Sequence, residues 1–328
     1  MDIYMDIYKK IFNDKNFEEN LILSREISLK NFGNKISFFA PSFIKYENIY
    51  FSSKQNFFPS ISITGKYCAL KCKHCNGKLL NSMYPALAPK ELIDICRVLK
   101  NKGAKGFLIS GGCMPNGMVP LENFIDSIAL IKKELGLTIV IHTGLINENI
   151  AEKISKAEID AVLIDIIGSN ETIKEIYNLN ATIEDFEKSL KILKNKNIRF
   201  VPHILVGLHY GKIKGELKAL EIISKYSPSA LIIIVFTPIP GTKMENIPPP
   251  KPKEIAKIII ASRFIMPNIP IVLGCMRPKE EHRIKTDILS IKAGINAIAF
   301  PTKEAIEYSK ELKYNISFSN FCCSQIFY

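Results

Sequence analysis

Cys68, Cys72 and Cys75 are separated by three and then two residues, a spacing that suits the ligands of one metal centre. Three thiolates this close in sequence can hold a single four-iron, four-sulfur (4Fe–4S) cluster. Such a cluster has four irons, so one iron keeps an open coordination site. An open iron can bind a small ligand and pass an electron to it. The spacing therefore predicts a cluster that takes part in chemistry.

Two other uses of these cysteines fit the sequence less well. A structural zinc site would want a fourth nearby cysteine or histidine, typically in a second Cys-x2-Cys pair. His74 lies inside the loop and is poorly placed for that role. A disulfide needs an oxidising compartment, and the first residues do not have the layout of a signal peptide.

The cysteine loop and the strand-like residues 60–64 before it resemble the signature of radical S-adenosylmethionine (radical SAM) enzymes. The resemblance implies that Cys68, Cys72 and Cys75 hold the cluster and that the amino and carboxyl groups of SAM chelate its open iron. An electron then cleaves SAM to a 5′-deoxyadenosyl radical, which abstracts hydrogen from an unreactive C–H bond. The resemblance also places His74, where an aromatic residue is usual, near the adenine.

The bulk composition narrows the class of protein. The 328 residues are 47% hydrophobic, which is enough for one large α/β barrel or two ordinary domains. The net charge is +12, but the basic residues are dispersed and form no groove with aromatic residues, so we expect no nucleic acid. No apolar run approaches the roughly 20 residues that cross a bilayer, so we expect no membrane span. Eight cysteines without an export signal predict a reducing cytoplasm.

Short apolar runs alternate with helical patterns from about residue 58 onward. We predict strands at residues 60–64, 106–110, 138–142, 161–166, 200–206, 230–236, 270–273 and 296–300. We predict helices near residues 89–102, 121–135, 147–156, 182–196, 214–225, 251–265, 280–292 and 303–312. Most of the strands are continuously apolar, as strands buried on both faces are.

Eight strand-then-helix units predict an α/β fold with a complete or nearly complete (β/α)8 TIM-type barrel. A six-stranded partial barrel with an appendix is the alternative, because the last two strands have the weakest patterns. We expect an N-terminal cap at residues 1–57, the barrel at 58–312, and a cysteine-containing tail at 313–328.

In such a barrel the chemistry gathers at the carboxyl ends of the strands. The second strand ends in Gly111, Gly112 and Cys113, where radical SAM enzymes often have Gly-Gly-Glu. That resemblance implies that the two glycines let the backbone approach the amino acid part of SAM. Cys113 stands in place of the glutamate, either as a small buried residue or with a second role at the barrel mouth.

Asp165 follows four apolar residues at the end of the fourth strand. A carboxylate there is costly to bury unless it is hydrogen-bonded or bound. Asp165 is thus a candidate for contacts with SAM or substrate, or else is satisfied by a nearby backbone turn. Of the histidines, His203 lies in a strand interior and fits a packed residue, whereas His142 and His209 lie closer to strand ends.

The fifth and later strands carry further motifs. Gly207, Gly211 and Glu216 resemble the Gly-Leu-x-x-Gly…Glu segment of the biotin synthase branch, which implies that Gly207 lies against the adenosine of SAM. Residues 240–242 resemble the Pro-Gly-Thr turn of the same branch. Arg277 follows the seventh strand, and its planar fork would suit a carboxylate or SAM.

The remaining cysteines could hold a second cluster. Cys96 has helical spacing with two leucines and is predicted to lie in the core. Cys113, Cys275, Cys322 and Cys323 are left, and four thiolates are what an auxiliary cluster uses. Two vicinal cysteines cannot easily bind one cluster together, so three cysteines plus another group remain an alternative. A further alternative is two buried cysteines and an exposed pair without metal.

Together these features cover about residues 58–328. They resemble the biotin synthase/lipoyl synthase branch, and in particular one subunit of the two-protein archaeal lipoyl synthase. The resemblance implies sulfur insertion into an octanoyl chain on a lysine of an acidic lipoyl-carrier protein, with the auxiliary cluster as the sulfur source. It also implies a sister radical SAM subunit and an electron donor such as ferredoxin. Carbon–carbon rearrangement or methylation in archaeal cofactor biosynthesis, and a non-catalytic iron–sulfur or zinc scaffold, remain alternatives.

Overall fold

One parallel sheet organises the part of the chain that the computed structural model describes, Ile11 and residues 14–326. Its strands are β1 Lys35–Phe39, β2 Ser60–Ser62, β3 Tyr84–Pro85, β4 Gly106–Ser110, β5 Thr138–His142, β6 Ala161–Asp165, β7 Phe200–Val206, β8 Leu231–Val235, β9 Ile271–Leu273, β10 Ala297–Ala299 and β11 Asn315–Ser319. They are ordered β11-β1-β10-β9-β8-β7-β6-β5-β4-β2-β3, and every neighbouring pair is parallel. The sheet curls into a half-barrel.

Helices cross over between successive strands. They are α1 Phe17–Phe32, α2 Pro89–Asn101, α3 Ile125–Leu135, α4 Glu148–Lys156, α5 Asn170–Tyr177, α6 Ile183–Asn195, α7 Glu216–Ser224, α8 Pro252–Ile265, α9 Glu280–Lys292 and α10 Lys303–Glu311. Side-chain caps begin several of them: Asn147 accepts the Ile150 N–H at 2.9 Å, and Thr302 accepts the Ala305 N–H at 3.2 Å. Gly136 ends α3 in the left-handed conformation. None of the helices described here is both long and apolar enough to cross a membrane.

The α/β class and the eight predicted strands are confirmed, but closure into a complete TIM-type barrel is not. The pairing runs from β11 to β3, and no pairing between described strands joins these two edges. β3 and β11 were not predicted, and β1 was expected only as a strand without bounds in the cap of helix and strand. The division into cap, barrel and tail stays a prediction, although β1 and β11 lie in the same sheet as the other strands.

The sheet buries apolar side chains on both faces. Its outer face packs against the helices. Its inner face forms a second apolar cluster, which we call the floor and which includes Phe58, Val140, Leu163, Val201, Ile232, Val272 and Phe300. Because side chains on one face recur every second residue, His142, Asp165 and His203 lie on the same inner face, one step above Val140, Leu163 and Val201. Polar groups therefore sit on an apolar floor at the carboxyl end of the sheet.

Candidate functional site

The first cysteine loop begins where β2 ends and is held in place by Thr64. The Thr64 hydroxyl donates to the carbonyl oxygen of Tyr67 at 2.9 Å and accepts the N–H of Gly112 at 2.7 Å. The Ser62 hydroxyl donates to the Gly65 carbonyl at 2.7 Å. The ends of β2 and β4 are thus joined through one threonine, directly below the cysteines.

Gly112 allows the loop to pack against β4. A Cβ atom added there would lie 2.6 Å from the Cα of Cys68, a distance that real Cβ atoms essentially never show. At Gly111 the nearest atom would be Thr64 Cγ2 at 3.1 Å, a milder crowding. The next residue continues the contact, because the Cys113 carbonyl accepts the Ala69 N–H at 2.8 Å. Within the protein, Gly112 therefore serves the close approach of β4 to the cysteine loop.

Three of the predicted site residues present metal-binding atoms together. The sulfurs of Cys72 and Cys75 and a ring nitrogen of His74 lie within 4.8 Å of one another. Cys68 lies close enough for its charge to raise the pKa of Cys72, although the larger causes are the contact with Cys75 and burial. The neighbouring Cys72 thiol lowers the pKa of Cys75, and the Cys72 sulfur itself donates to the Tyr177 carbonyl at 3.6 Å. This sulfur-rich, half-buried donor set fits a cluster held by three cysteines.

The end of α5 fixes the other side of the loop. The Lys73 N–H donates to the Ile176 carbonyl at 2.8 Å, and the Asn178 amide donates to the Leu70 and Lys71 carbonyls at 3.1 Å each. Asn178 has a φ of 52°, a left-handed conformation that asparagine tolerates. The loop is therefore clamped between β4 and α5.

Tyr177 connects the loop to the polar layer above the floor. Its ring stacks on His74 with centroids 5.3 Å apart and planes 29° apart, and its hydroxyl donates to Asp165 at 3.4 Å. His74 is 7% exposed, and its Nδ1 atom is buried without a hydrogen-bond partner. An orphaned buried nitrogen beside the cysteines suits a contact with a bound group.

His142, Asp165 and His203 form a compact polar group at the ends of β5, β6 and β7. Their nearest ligand atoms all lie within 4.8 Å of one another. Burial acts to raise the pKa of Asp165, but the charges of His142 and then His203 outweigh it, with the hydrogen bond to His142 adding to the effect, and the pKa falls to about 2. Burial lowers the pKa of His203 to about 4. We therefore expect an ionised Asp165 facing a neutral His203 near neutral pH. His209 lies outside this group, beside Thr172 and Glu171.

Gly207, which follows β7, packs against another segment of the chain. A Cβ atom added at Gly207, where φ is 77°, would lie 2.6 Å from the ring of Pro250. The Gly207 N–H donates to the Glu216 carboxyl at 2.8 Å. The turn formed by the three prolines at residues 248–250 thus packs onto Gly207. This contact is a structural reason for a glycine here, besides the predicted contact with adenosine.

Arg277 does not serve as predicted, because the protein uses all of its donors. It is 2% exposed. Its Nε and Nη2 atoms donate to Asp287 at 2.8 and 3.1 Å, Nη1 donates to the Gly274 and Ala299 carbonyls, and Nη2 also donates to the Phe300 carbonyl. The guanidinium ties the ends of β9 and β10 together, and no N–H remains for a carboxylate or SAM.

The structure gathers three of the four remaining cysteines. Cys322 and Cys323 are 8% and 4% exposed and lie in the floor, with Cys275 packed against them. Burial raises the pKa of Cys275 to about 11, and the charge of Cys322 adds to the rise. Arg283 lies close enough to Cys275 for their charges to interact, and burial lowers its pKa to about 10. The structure thus brings three thiols and one cation close together.

Cys113 lies instead beside the first cysteine loop. Burial raises its pKa to about 12, and the charges that add to the rise are those of Cys68, Asp165 and Cys75. Cys96 is fully buried, as predicted for a core residue. The structure therefore divides the predicted set of four into Cys113 on one side and Cys275, Cys322 and Cys323 on the other.

Sequence reasoning missed Tyr177 and Arg283. Tyr177 ends α5, a helix that was not predicted. Its signals were present: Ser169 accepts the Thr172 N–H at the start of the helix, and Thr172, Ile173 and Ile176 form its buried stripe. Arg283 had no signal of its own, because its place near Cys275 depends on how α9 packs.

Comparisons with known proteins agree with this geometry. Residues 62–214 match the radical SAM superfamily model, and residues 233–318 match the model of the biotin and thiamin synthesis associated domain. Biotin synthase from Buchnera aphidicola subsp. Schizaphis graminum is 25% identical over 249 residues, which are 74% of this chain and 71% of the relative. Biotin synthase from Prochlorococcus marinus (strain MIT 9301) is 24% identical over 247 residues, which are 71% and 70% of the two chains.

Solved structures share the fold. Methylornithine synthase superposes with a TM-score of 0.63 at 18% identity, over 90% of this chain and 82% of that one. The FeFe-hydrogenase maturase HydG from Carboxydothermus hydrogenoformans superposes with a TM-score of 0.66 at 14% identity, over 100% and 78% of the two chains. The cysteine loop, its clamp and the two family models agree: the chain contains a radical SAM domain followed by a biotin and thiamin synthesis associated domain, and it is similar to biotin synthases.

Proposed function

We propose that this enzyme inserts sulfur into an octanoyl chain carried on a lysine of an acidic lipoyl-carrier protein. The observation that carries the proposal is the grouping of Cys275, Cys322 and Cys323. Like Cys68, Cys72 and Cys75, these residues follow the carboxyl ends of strands of one parallel sheet. A radical source and a sulfur source would then open onto the same end of the half-barrel.

A radical is needed because the carbons of an octanoyl chain carry no acidic proton, and no protein side chain is basic enough to remove one. A 4Fe–4S cluster held by Cys68, Cys72 and Cys75, with SAM bound, supplies the 5′-deoxyadenosyl radical. The chain's own residues keep the site in place. Thr64 and Asn178 clamp the loop, and the floor keeps water from the inner face of the sheet. Asp165 and His142 offer hydrogen bonds above that floor.

Sulfur has to reach the carbon radical directly, and an auxiliary cluster on Cys275, Cys322 and Cys323 would bring it there. The cysteines bind as thiolates, so their site gains negative charge when metal binds. The Arg283 guanidinium next to Cys275 compensates part of that charge. Vicinal Cys322 and Cys323 lie close enough to shift each other's pKa in opposite directions, and a group other than a fourth cysteine would complete the ligands of the cluster.

The net charge of the chain supports an acidic carrier as the substrate. A chain with a net charge of +12 attracts an acidic carrier domain. We also propose that this protein performs one of the two sulfur insertions and that a sister radical SAM subunit performs the other. An external one-electron donor such as a ferredoxin reduces the first cluster.

The test is an iron and sulfide count combined with an activity assay. We expect about eight irons per chain after anaerobic reconstitution, and about four in a Cys68/Cys72/Cys75→Ala variant. The wild-type protein should add sulfur to an octanoyl-lysyl peptide, and a Cys275→Ala variant should cleave SAM without doing so. Cys96→Ala, which changes a buried thiol far from both sites, is the matched control.

Four irons in the wild type and none in the triple variant would count against sulfur insertion. In that case a radical SAM rearrangement or methylation becomes the better assignment. Intact octanoyl peptide together with SAM cleavage and eight irons would keep the two clusters but reject this substrate.

A further inference from the structure

We propose that Cys113 is a fourth cysteine ligand of the first cluster, which it keeps closed until SAM displaces it. The inference rests on the first cluster but not on the octanoyl substrate. It concerns a position at which this sequence departs from the Gly-Gly-Glu pattern that its motif otherwise resembles.

The backbone of Cys113 is fixed against the ligand loop. Its carbonyl accepts the N–H of Ala69, the residue after Cys68, at 2.8 Å. The preceding Gly112 packs so closely on Cys68 that no side chain fits between them. Cys113 therefore cannot move away from the loop without breaking the contacts that hold the loop on β4.

The side chain of Cys113 lies among the same groups as the cluster ligands. Its sulfur would be 3.4 Å from a Cβ atom added at Gly144, just after the end of β5. Cys68 and Cys75 are the cysteines whose charges act on it. The backbone hydrogen bond to Ala69 and these charge interactions place Cys113 beside the three loop cysteines, at the end of a different strand.

A second observation points to a bound group in this site. His74 is more than nine-tenths buried, and its Nδ1 atom has no partner within the protein. A group bound by the neighbouring cysteines would satisfy this nitrogen. The site is therefore built around something that the protein chain alone does not supply.

Ligand exchange at the open iron needs no oxidant or reductant. When the cluster assembles without SAM, the Cys113 thiol gives its proton to water and its sulfur binds the fourth iron. When SAM arrives, its amino and carboxylate groups replace the sulfur, and the thiolate takes a proton back. No electron changes hands. The closed cluster would retain its fourth iron, which a cluster with three cysteine ligands loses readily on oxidation.

The experiment measures that loss directly. Protein reconstituted without SAM is treated with a limiting amount of ferricyanide, and the three-iron cluster that forms is quantified by electron paramagnetic resonance. We expect Cys113→Ala to form severalfold more three-iron cluster than the wild type, and Cys96→Ala to match the wild type. Cys113→Ser, which keeps the size of the side chain, should behave like Cys113→Ala.

A parallel Cys68/Cys72/Cys75→Ala sample gives the contribution of any second cluster, which is subtracted. SAM added before the oxidant should remove the difference between wild type and Cys113→Ala, because SAM then occupies the fourth iron in both proteins. Equal three-iron signals from wild type and Cys113→Ala without SAM would overturn the proposal. So would the absence of any iron bound by the first three cysteines. Neither result depends on whether an octanoyl peptide is modified.

Discussion

Arg277 and Asp287 form an ion pair in which both side chains are fully buried. The pair is stable because each group is also hydrogen-bonded: Asp287 accepts the Thr302 N–H at 3.0 Å, and Arg277 donates to three carbonyls. Replacing Arg277 by Met would leave Asp287 charged and buried with one backbone donor. Breaking such a pair by removing one partner costs about 3–5 kcal/mol. We expect that loss in the free energy of unfolding of Arg277→Met, measured by urea denaturation.

An Arg277→Met/Asp287→Leu double variant is the control, because it removes both charges. It should recover part of the lost stability, and the cycle then gives the coupling between the two residues. If Arg277→Met instead unfolded like the wild type and bound SAM more weakly, the structural assignment of Arg277 would be wrong.

Glu216 gives the enzyme a pH dependence that can be worked out from its surroundings. Burial, the largest influence, raises its pKa from 4.5 to about 7, against the hydrogen bonds from Gly207 and Lys214. The folded protein therefore holds a proton that the unfolded chain releases between pH 4.5 and about 7. The free energy of unfolding attributable to this group should fall as pH rises through that range, and should then level off.

Glu216→Gln removes this titration and should flatten the stability profile between about pH 5 and about pH 8. The two proteins are compared by how steeply the free energy of unfolding changes with pH. Their absolute stabilities also differ, because the glutamine amide offers one acceptor fewer to the two backbone N–H groups. Urea denaturation at several pH values measures both slopes. Identical slopes for the two proteins would show that Glu216 is ionised throughout in the folded state.

At the scale of elements, the junction of β4 with the cysteine loop should tolerate no side chain at Gly112. In Gly112→Ala the added methyl group would meet the backbone of Cys68, so either the loop or β4 has to shift. Gly111→Ala is the matched control, because its nearest neighbours are the side chains of Thr64 and Ile63 at 3.1 and 3.2 Å. We expect Gly112→Ala to lose most of the iron of the first cluster, and Gly111→Ala to retain most of it.

Iron analysis and the visible absorption of the reconstituted proteins measure the difference, and circular dichroism checks that both variants fold. A Gly112→Ala protein with a full first cluster would mean that the loop is more adaptable than its contacts indicate.

The elements also show what could be predicted from sequence. β5 is found at residues 138–142, as predicted, because a continuous apolar run between two helical patterns is a local signal. β1 was placed in a cap because its partners, β10 and β11, come from the far end of the chain. A strand of five residues contains no information about which distant strand it joins. Closure of the barrel is for the same reason a property that local patterns do not determine.

The candidate site likewise contains some residues whose roles the sequence could indicate and others whose roles depend on the fold. Cys68, Cys72 and Cys75 could be proposed as cluster ligands from sequence because that prediction depends on spacing alone. The roles of Cys113 and Arg277 depend on neighbours more than 20 residues away in sequence or on carbonyls of other strands. The sequence showed that each residue followed a strand, but not whether its side chain faced the loop, the floor or a buried carboxylate.

At the scale of the whole molecule, the segment that carries the three loop cysteines is locally basic. Residues 48–90 contain six lysines and neither aspartate nor glutamate. Lys73 and Lys78 are engaged with Tyr210 and the Pro240 carbonyl, whereas Lys66 and Lys71 are exposed on the cysteine loop. An acidic carrier approaching the carboxyl ends of the strands would therefore meet lysines first, and we expect its binding to weaken as salt screens the attraction.

The KM for an octanoylated carrier domain should accordingly rise severalfold between roughly 0.05 and about 0.3 M ionic strength, while the KM for an uncharged octanoyl-lysyl peptide should change little. A Lys66→Glu/Lys71→Glu variant should raise the KM for the carrier at low salt and leave that for the peptide unchanged. Lys194→Glu changes an exposed lysine in the last turn of α6, outside the cysteine loop, and should affect neither. Equal salt dependence for carrier and peptide would place carrier recognition elsewhere, since screening acts on long-range attraction and not on contacts within the half-barrel.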